Sequence, residues 1–316
     1  MEINFDKDSK MKNWFPQIRR FGAVSPNKES SPFTWDFGNG EVLMRLELED
    51  HSISSNWEEA SFAVIRDCES GQILSRVAEG CYYQSFYKEN GTAYVIGTVK
   101  DKSADSGSEI RIFESRDLIH WSGRTLFRRP GWSFYNTSLT KGPNGYVLLT
   151  EAGAPSDAIG EHPFTMFFSS SPDLVRWSFL PDELGYPKDR YSGGPWLYYS
   201  RGWYYMIILE ALPHARYASY IYRTKDFRDW TVGTYNPMMM PSAEDRAISP
   251  FAHDITDELR RQIAECFVCN DSDLDLCEYR GKTVITYNVG NQLGFAYIAQ
   301  AEYDGGLDDF LAAWFA

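Results

Sequence analysis

Positive charge is scarce in this sequence: 31 Lys and Arg stand against 44 Asp and Glu, a formal charge of −13. A nucleic-acid partner needs the opposite surplus to displace counterions, so none is expected. Long apolar runs are also missing; the longest, such as Tyr204–Leu209, fall far short of the about 20 residues of a bilayer span. Met1 to Trp14 carry no apolar core and no small-residue cleavage site. The expectation is therefore no signal peptide, no membrane and a cytoplasmic protein. Cysteine is sparse and odd in number, five in all. Cys266 and Cys269 form a lone C-x-x-C, Cys277 follows, and the nearest histidine, His253, is a poor fourth zinc ligand. Buried free thiols are the better reading. Nucleophile elbows, Ser-His-Asp and Cys-His arrangements, dinucleotide loops and phosphate-binding loops are all absent.

Aromatic residues are abundant. Ten Trp, 20 Tyr and 20 Phe, with 24 Gly and 15 Pro, suit many short strands joined by tight turns. The strands repeat. Ile112–Trp121, Phe167–Trp177 and Ile221–Trp230 each run from an apolar strand through Asp, then Leu or Phe, two variable residues and Trp. Their aspartates are Asp117, Asp173 and Asp226. Weaker copies lie at Phe62–Gln72 and Phe295–Phe310. The Asp is read as closing an Asx-type turn and the Trp as packing between sheets, a structural role for both.

A hairpin precedes each copy, marked by turns such as Asn39-Gly40, Asn90-Gly91, Asn144-Gly145 and Arg201-Gly202. Units of about 50 residues with four antiparallel strands predict an all-β, five-bladed β-propeller in a single domain. The blades fall near 31–80, 81–131, 132–187, 188–240 and 265–316. Helix is confined to a short insertion near 254–266, with Asp254 as N-cap, and to a C-terminal segment around Leu307, Phe310, Leu311 and Trp314.

In a propeller the first strand of each blade starts, and the second ends, at one mouth of the central channel. Counting back from the hairpin turns sets Asn136 opposite Glu151, Glu210 opposite Gly193, and Asp273 opposite Asn288. Three blades thus bring an acid to one rim. Glu210 ends the apolar strand from Trp203, where desolvation would raise its pKa and suit it to general acid work, unless a cation such as Arg190 or Arg216 pairs with it. Alternation along Asn270–Glu278 sends Asp271, Asp273 and Asp275 to one side of their strand. Those three could perturb one another or hold a divalent cation, although the EF-hand spacing is absent. In the first hairpin Arg45, Glu47 and Glu49 share a polar face that either reaches the mouth or, the favoured reading, meets solvent. His214 sits on a loop beside the mouth. Acids, amides and aromatics such as Trp132, Tyr191 and Trp196 suit a carbohydrate ligand.

These features resemble the five-bladed propeller glycoside hydrolases: family 43, the invertase-like fructosidases and the anhydrogalactosidases, and within them a glycosidase-like bacterial group. The resemblance is carried by the repeated turns, by Tyr135–Ser138, Trp203–Glu210 and Asn270–Gln292. It implies an inner-strand Asp as base or nucleophile, a second Asp that orients, and a Glu general acid. The Glu falls on Glu210. The first-blade Asp has no clear counterpart in Ser31–Gly40, where Asp36 stands nearby, nor has the second blade an acid at the start of its inner strand. On this reading Asp273 or Glu151 takes the base or nucleophile role, and Asn136, Asp275, His214, Trp196 and Asn291 contact sugar. The expected activity is hydrolysis of a small oligosaccharide without a required cofactor. A non-catalytic propeller that binds sugar or protein is the alternative, with a glycoside phosphorylase behind it. A homo-oligomer stays open, since aromatic surplus also suits a dimer face.

Overall fold

The computed structural model describes residues 15–49, 61–100 and 106–316. The chain enters with β1 (Ile18–Ser25) and then builds four sheets in sequence order. The first holds β2 (Ser30–Asp36), β3 (Glu41–Glu49), β4 (Phe62–Asp67) and β5 (Ile73–Val77). The second holds β6 (Cys81–Glu89), β7 (Thr92–Val99), β8 (Glu109–Ser115) and β9 (Ser122–Arg128). The third holds β10 (Ser133–Gly142), β11 (Gly145–Ala154), β12 (Thr165–Ser171) and β13 (Ser178–Phe179). The fourth holds β14 (Ser192–Ser200), β15 (Trp203–Leu212), β16 (Arg216–Thr224) and β17 (Thr231–Val232). In the fifth, β18 (Asn270–Tyr279), β19 (Lys282–Gly290) and β20 (Ala296–Tyr303) take β1 as their outermost strand. All neighbours are antiparallel, and the five inner strands β2, β6, β10, β14 and β18 contact one another in a ring. This is the expected five-bladed propeller. Its ring is closed by hydrogen bonds between β1 and β20, the first and last strands of the described residues, a closure the repeat alone did not reveal.

The repeated turn lies between the third and fourth strands of blades two, three and four. Asp117, Asp173 and Asp226 each accept two backbone N–H bonds through Oδ1, at 2.8–3.0 Å. The next residue, Leu118, Leu174 or Phe227, takes a φ of +62° and is buried, and its carbonyl accepts the indole N–H of Trp121, Trp177 or Trp230 at 3.2 Å. Asp67 makes the same Asx turn in the first blade, without the Trp.

Two expectations shift. The insertion helix α1 spans Asp257–Glu265 and its N-cap is Thr256, whose hydroxyl accepts from Leu259 N–H at 3.2 Å. Asp254 instead has a φ of +60° and pairs with Arg66 at 2.9 Å. The polar face of β3 does not meet solvent: Arg45 and Glu47 are wholly buried, and Glu47 Oε1 also takes Arg66 at 3.1 Å. The terminal helix α2, Leu307–Ala313, buries Leu307, Phe310 and Leu311 as its pattern predicts. All five cysteines are free thiols, Cys68, Cys81 and Cys269 buried. Among the described residues no helix is long and apolar enough to cross a membrane.

Candidate active site

Four of the five inner strands carry a bulge at the same height, near the mouth of the channel. The interruptions fall at Tyr83-Gln84 in β6, Tyr135-Asn136 in β10, Gly194-Pro195 in β14 and Asp273-Leu274 in β18. Opposite them on the second strands stand Gly97, Glu151, Ile208 and Tyr287. A bulge sets two residues against one and re-aims a side chain that regular pleating would send elsewhere. Tyr83, Gly194 and Asp273 take φ values of +56°, +56° and +51°.

The bulges bring Glu151, Asn136, Gly194 and Asp273 together. Glu151 Oε2 accepts from Asn136 Nδ2 and from the Gly194 backbone N–H, each at 3.0 Å. The same Asn136 Nδ2 lies 3.4 Å from Asp273 Oδ1, so one amide bridges two carboxyls. A Cβ at position 194 would stand 2.7 Å from Asp273 Oδ1 and 2.9 Å from its backbone nitrogen. Glycine is required there both by this approach and by the positive φ. Asp273 also accepts from the Ser272 hydroxyl at 2.6 Å, and Asp275 accepts from that of Ser31. All the partners named here are neutral.

That neutrality sets the electrostatics. Burial pushes the Glu151 carboxyl up to about 8, with the nearby Asp273 charge adding to it and the Asn136 and Gly194 bonds working against it. Asp275 rises to about 7, from burial first and from Asp273 second. Asp273 is raised by burial as well. Near neutral pH the cluster therefore holds protons that ordinary carboxyls would have released.

Glu210 is set differently. It pairs with Ser192 across the hairpin, so it lies one pleat further out than Glu151's equivalent, Ile208. Its Oε1 takes Arg190 Nε at 2.8 Å and the Tyr222 hydroxyl. Arg190 also donates to the hydroxyls of Tyr186 and Tyr222, at 2.8 and 3.1 Å. The cation anticipated for Glu210 is thus Arg190.

The three aspartates of β18 part company. The bulge breaks the expected alternation, and Asp271 turns away to take Arg20 at 2.7 Å. Arg20 is shared with Asp245 at 2.5 Å, and Tyr287 donates to Asp245 at 2.8 Å. Among the described residues no three His, Cys, Asp or Glu converge as a metal-binding group. Asn291 spends its Oδ1 on its own turn, accepting from the backbone N–H groups of Leu293 and Phe295. His214 is exposed at the β15–β16 turn with a φ of +66°. Trp196 is buried, stacks on Tyr198 at 5.3 Å and lines the cavity at the opposite end of the channel. Trp132 is buried beneath the Arg129 guanidinium.

Of the named aromatics only Tyr191 is beside the acids. It belongs to an arc of half-buried rings from blades two to four, Tyr82, Tyr83, Tyr135, Phe164, Tyr191 and Tyr217, with successive centroids 4.6–6.3 Å apart. A Cβ on Gly193 would lie 3.6 Å from Glu151 Oε1 and 3.7 Å from the Phe164 ring, which fixes the arc next to the carboxyls.

No protein-family model matches the sequence, and no curated protein matches it. Solved structures do share its fold. One described as a glycoside hydrolase superposes with a TM-score of 0.61 at 11% identity, over 95% of this chain and 96% of its own. A thermostable family-43 glycoside hydrolase gives 0.59 at 12% identity, over 89% and 90%. A family-43 endo-arabinanase from Bacillus licheniformis gives 0.53 at 9% identity, over 89% and 96%.

Proposed function

We propose that this propeller hydrolyses a glycosidic bond of a small oligosaccharide at the bulged mouth of its channel. The observation that carries the reading is the pair of buried carboxyls, Glu151 and Asp273, joined by Asn136 with no cation between them. Glu151 is the general acid. Desolvation keeps its proton near neutral pH, and a leaving glycosidic oxygen accepts it. Asp273 is the second carboxylate, and Ser272 and Asn136 stabilise its charged form. Asparagine Nδ2 lies 3.0 and 3.4 Å from the two carboxyl oxygens, so these are no further apart than the two distances together. The aromatic arc offers ring faces to the sugar. The folds named above are those of glycoside hydrolases, which agrees with the reading.

On this assignment Glu210 shapes the wall. Paired to Arg190 and Tyr222, it holds the segment before β14 against the blade. The experiment is to incubate the full chain with a panel of aryl glycosides and short oligosaccharides and to measure released sugar, with Glu151→Gln alongside. Release by the wild type alone supports the assignment. Release by both discards Glu151 as the acid. Silence across the panel favours a propeller that binds sugar without cleaving it.

A further inference from the structure

Blade two contributes no acid to the mouth, yet it carries the same bulge as blade three. Tyr83-Gln84-Ser85 in β6 matches Tyr135-Asn136-Thr137 in β10 in the order ring, amide, hydroxyl, and Ser85 and Thr137 lie 3.0 Å apart across the blade boundary. Gln84 is therefore the counterpart of Asn136. Its bulge faces Gly97 where Asn136 faces Glu151. A Cβ on Gly97 would stand 3.1 Å from Gln84 Cγ and 2.9 Å from the Cys81 side chain, so the missing side chain makes room for the glutamine to fold over β7.

Gln84 is 7% exposed. Its Nε2 donates to the Cys81 carbonyl at 2.6 Å, which settles which end of the amide is which. Among the described residues its Oε1 has no partner, and neither has Ser30 Oγ, a residue equally buried at the start of β2. Both residues line the narrow chamber that Asn136, Gly194, Asp273 and Asp275 complete. Buried polar atoms are normally hydrogen-bonded, and an orphaned acceptor aimed into a chamber asks for a donor from whatever enters. A sugar hydroxyl meets that need, since it donates to an acceptor and accepts from a hydroxyl in return.

We infer that Gln84 Oε1 and Ser30 Oγ form a recognition pocket for ring hydroxyls of a neutral sugar, Gln84 accepting from one hydroxyl and Ser30 sharing a bond with another. The inference rests on the proposed carbohydrate function and deepens it, by placing specificity on blades one and two and the carboxyls on blades three and five. A sugar lacking the hydroxyl that Gln84 reads would leave Oε1 orphaned and be rejected; removing the acceptor would abolish that discrimination.

The test measures binding and turnover separately. Free pentoses and hexoses, with their monodeoxy analogues, are titrated calorimetrically into the full wild-type chain and into Gln84→Met and Ser30→Ala. Thermal melting confirms that each variant folds. Wild type should bind at least one parent sugar and discriminate against one deoxy analogue. Gln84→Met should weaken the parent sugar about 10- to 100-fold and leave the deoxy sugar little changed. Ser30→Ala should lose less. If Gln84→Met destabilises the fold, Gln84→Glu, which restores an acceptor, should recover parent binding relative to Met. Absence of binding by every sugar, or equal discrimination in wild type and Gln84→Met, overturns the inference. Gln84-dependent binding without turnover by wild type would uphold it while removing the hydrolase reading. Turnover with Gln84-independent binding would do the reverse.

Discussion

Blades three and four both end their second strand in a buried glutamate, but only one of the two has an ionic partner. Glu151, 2% exposed, meets an asparagine amide and a glycine N–H; Glu210, 8% exposed, meets Arg190 and Tyr222. Glu47 in blade one repeats the second arrangement with Arg45 and Arg66. The Glu47 carboxyl illustrates the consequence. Burial would raise its pKa, yet the two guanidiniums and the Ser25 hydroxyl overcome burial and hold it below its ordinary value. Burial alone does not make a carboxyl a proton donor. At Glu151 the partners are neutral, and they are delivered by the bulges of β10 and β14.

The largest expected effect separates Glu151 from Glu210 in activity. Glu151→Gln should lower kcat on any substrate found by about 1,000-fold or more, without loss of melting temperature, since an amide suits the neutral site. Glu210→Gln should retain activity within about 10-fold but lose about 1–3 kcal/mol, because it removes the buried partner of Arg190 and leaves only the exposed Asp189. Full loss of turnover in a well-folded Glu210→Gln would reverse the two roles. Next comes Glu47→Gln, which takes the carboxylate from Arg45, 1% exposed, and from Arg66, 4% exposed, and leaves Arg66 only Asp254. Denaturant titration should show a loss of about 3–5 kcal/mol; a loss under about 1 kcal/mol would mean that the buried charges are compensated elsewhere.

The two kinds of carboxyl should also carry opposite pH signatures. Glu151 at about 8 and Asp275 at about 7 keep protons in the folded chain that the unfolded chain releases at lower pH. Their contribution is present below the unfolded value and is lost as pH rises, so melting temperature should fall between about pH 5 and 8. Glu47 works the other way: its contribution is present above its ordinary value and is lost as pH falls toward the lowered one. Melting curves of Glu151→Gln across the upper window should be flatter than those of wild type. Identical slopes would show that Glu151 does not titrate there.

Much of the fold was legible because the turn repeats its chemistry as well as its letters. Each Asp binds two backbone N–H groups and each Trp binds one carbonyl, so residue identity is fixed at both places. The closing strand was not legible, because Ile18–Ser25 pairs with β20 without carrying any mark of the repeat. At the site, hairpin counting joined Asn136 to Glu151, and that contact is present. It could not foresee that Gly193 pairs with Leu209 and Ser272 with Asn288, since a bulge adds a residue without changing composition. For the same reason strict alternation grouped Asp271 with Asp273 and Asp275, whereas Asp271 belongs to Arg20. The match of Tyr83-Gln84-Ser85 to Tyr135-Asn136-Thr137 was the available signal for Gln84. An amide carries less apparent chemistry than an acid, and the eye passes over it.

The smallest effects should come from the Asp-Leu-x-x-Trp turns, which lie between the outer strands. Asp173 is one third exposed, and Arg176 reaches it at 2.8 Å through solvent-screened surface. Its depressed pKa, about 2, follows from the backbone N–H groups of Arg176 and Val175. Those bonds shape a turn in which Leu174 holds a positive φ and buries its side chain, so the turn is already fixed by packing. Asp173→Ala should therefore lower the melting temperature by no more than a few degrees and leave kcat and KM unchanged. A clear drop in kcat would show that the outer turns communicate with the mouth. Unchanged kinetics together with a small thermal loss would confine the reactive carboxyls to the bulged mouth, on β11 and β18.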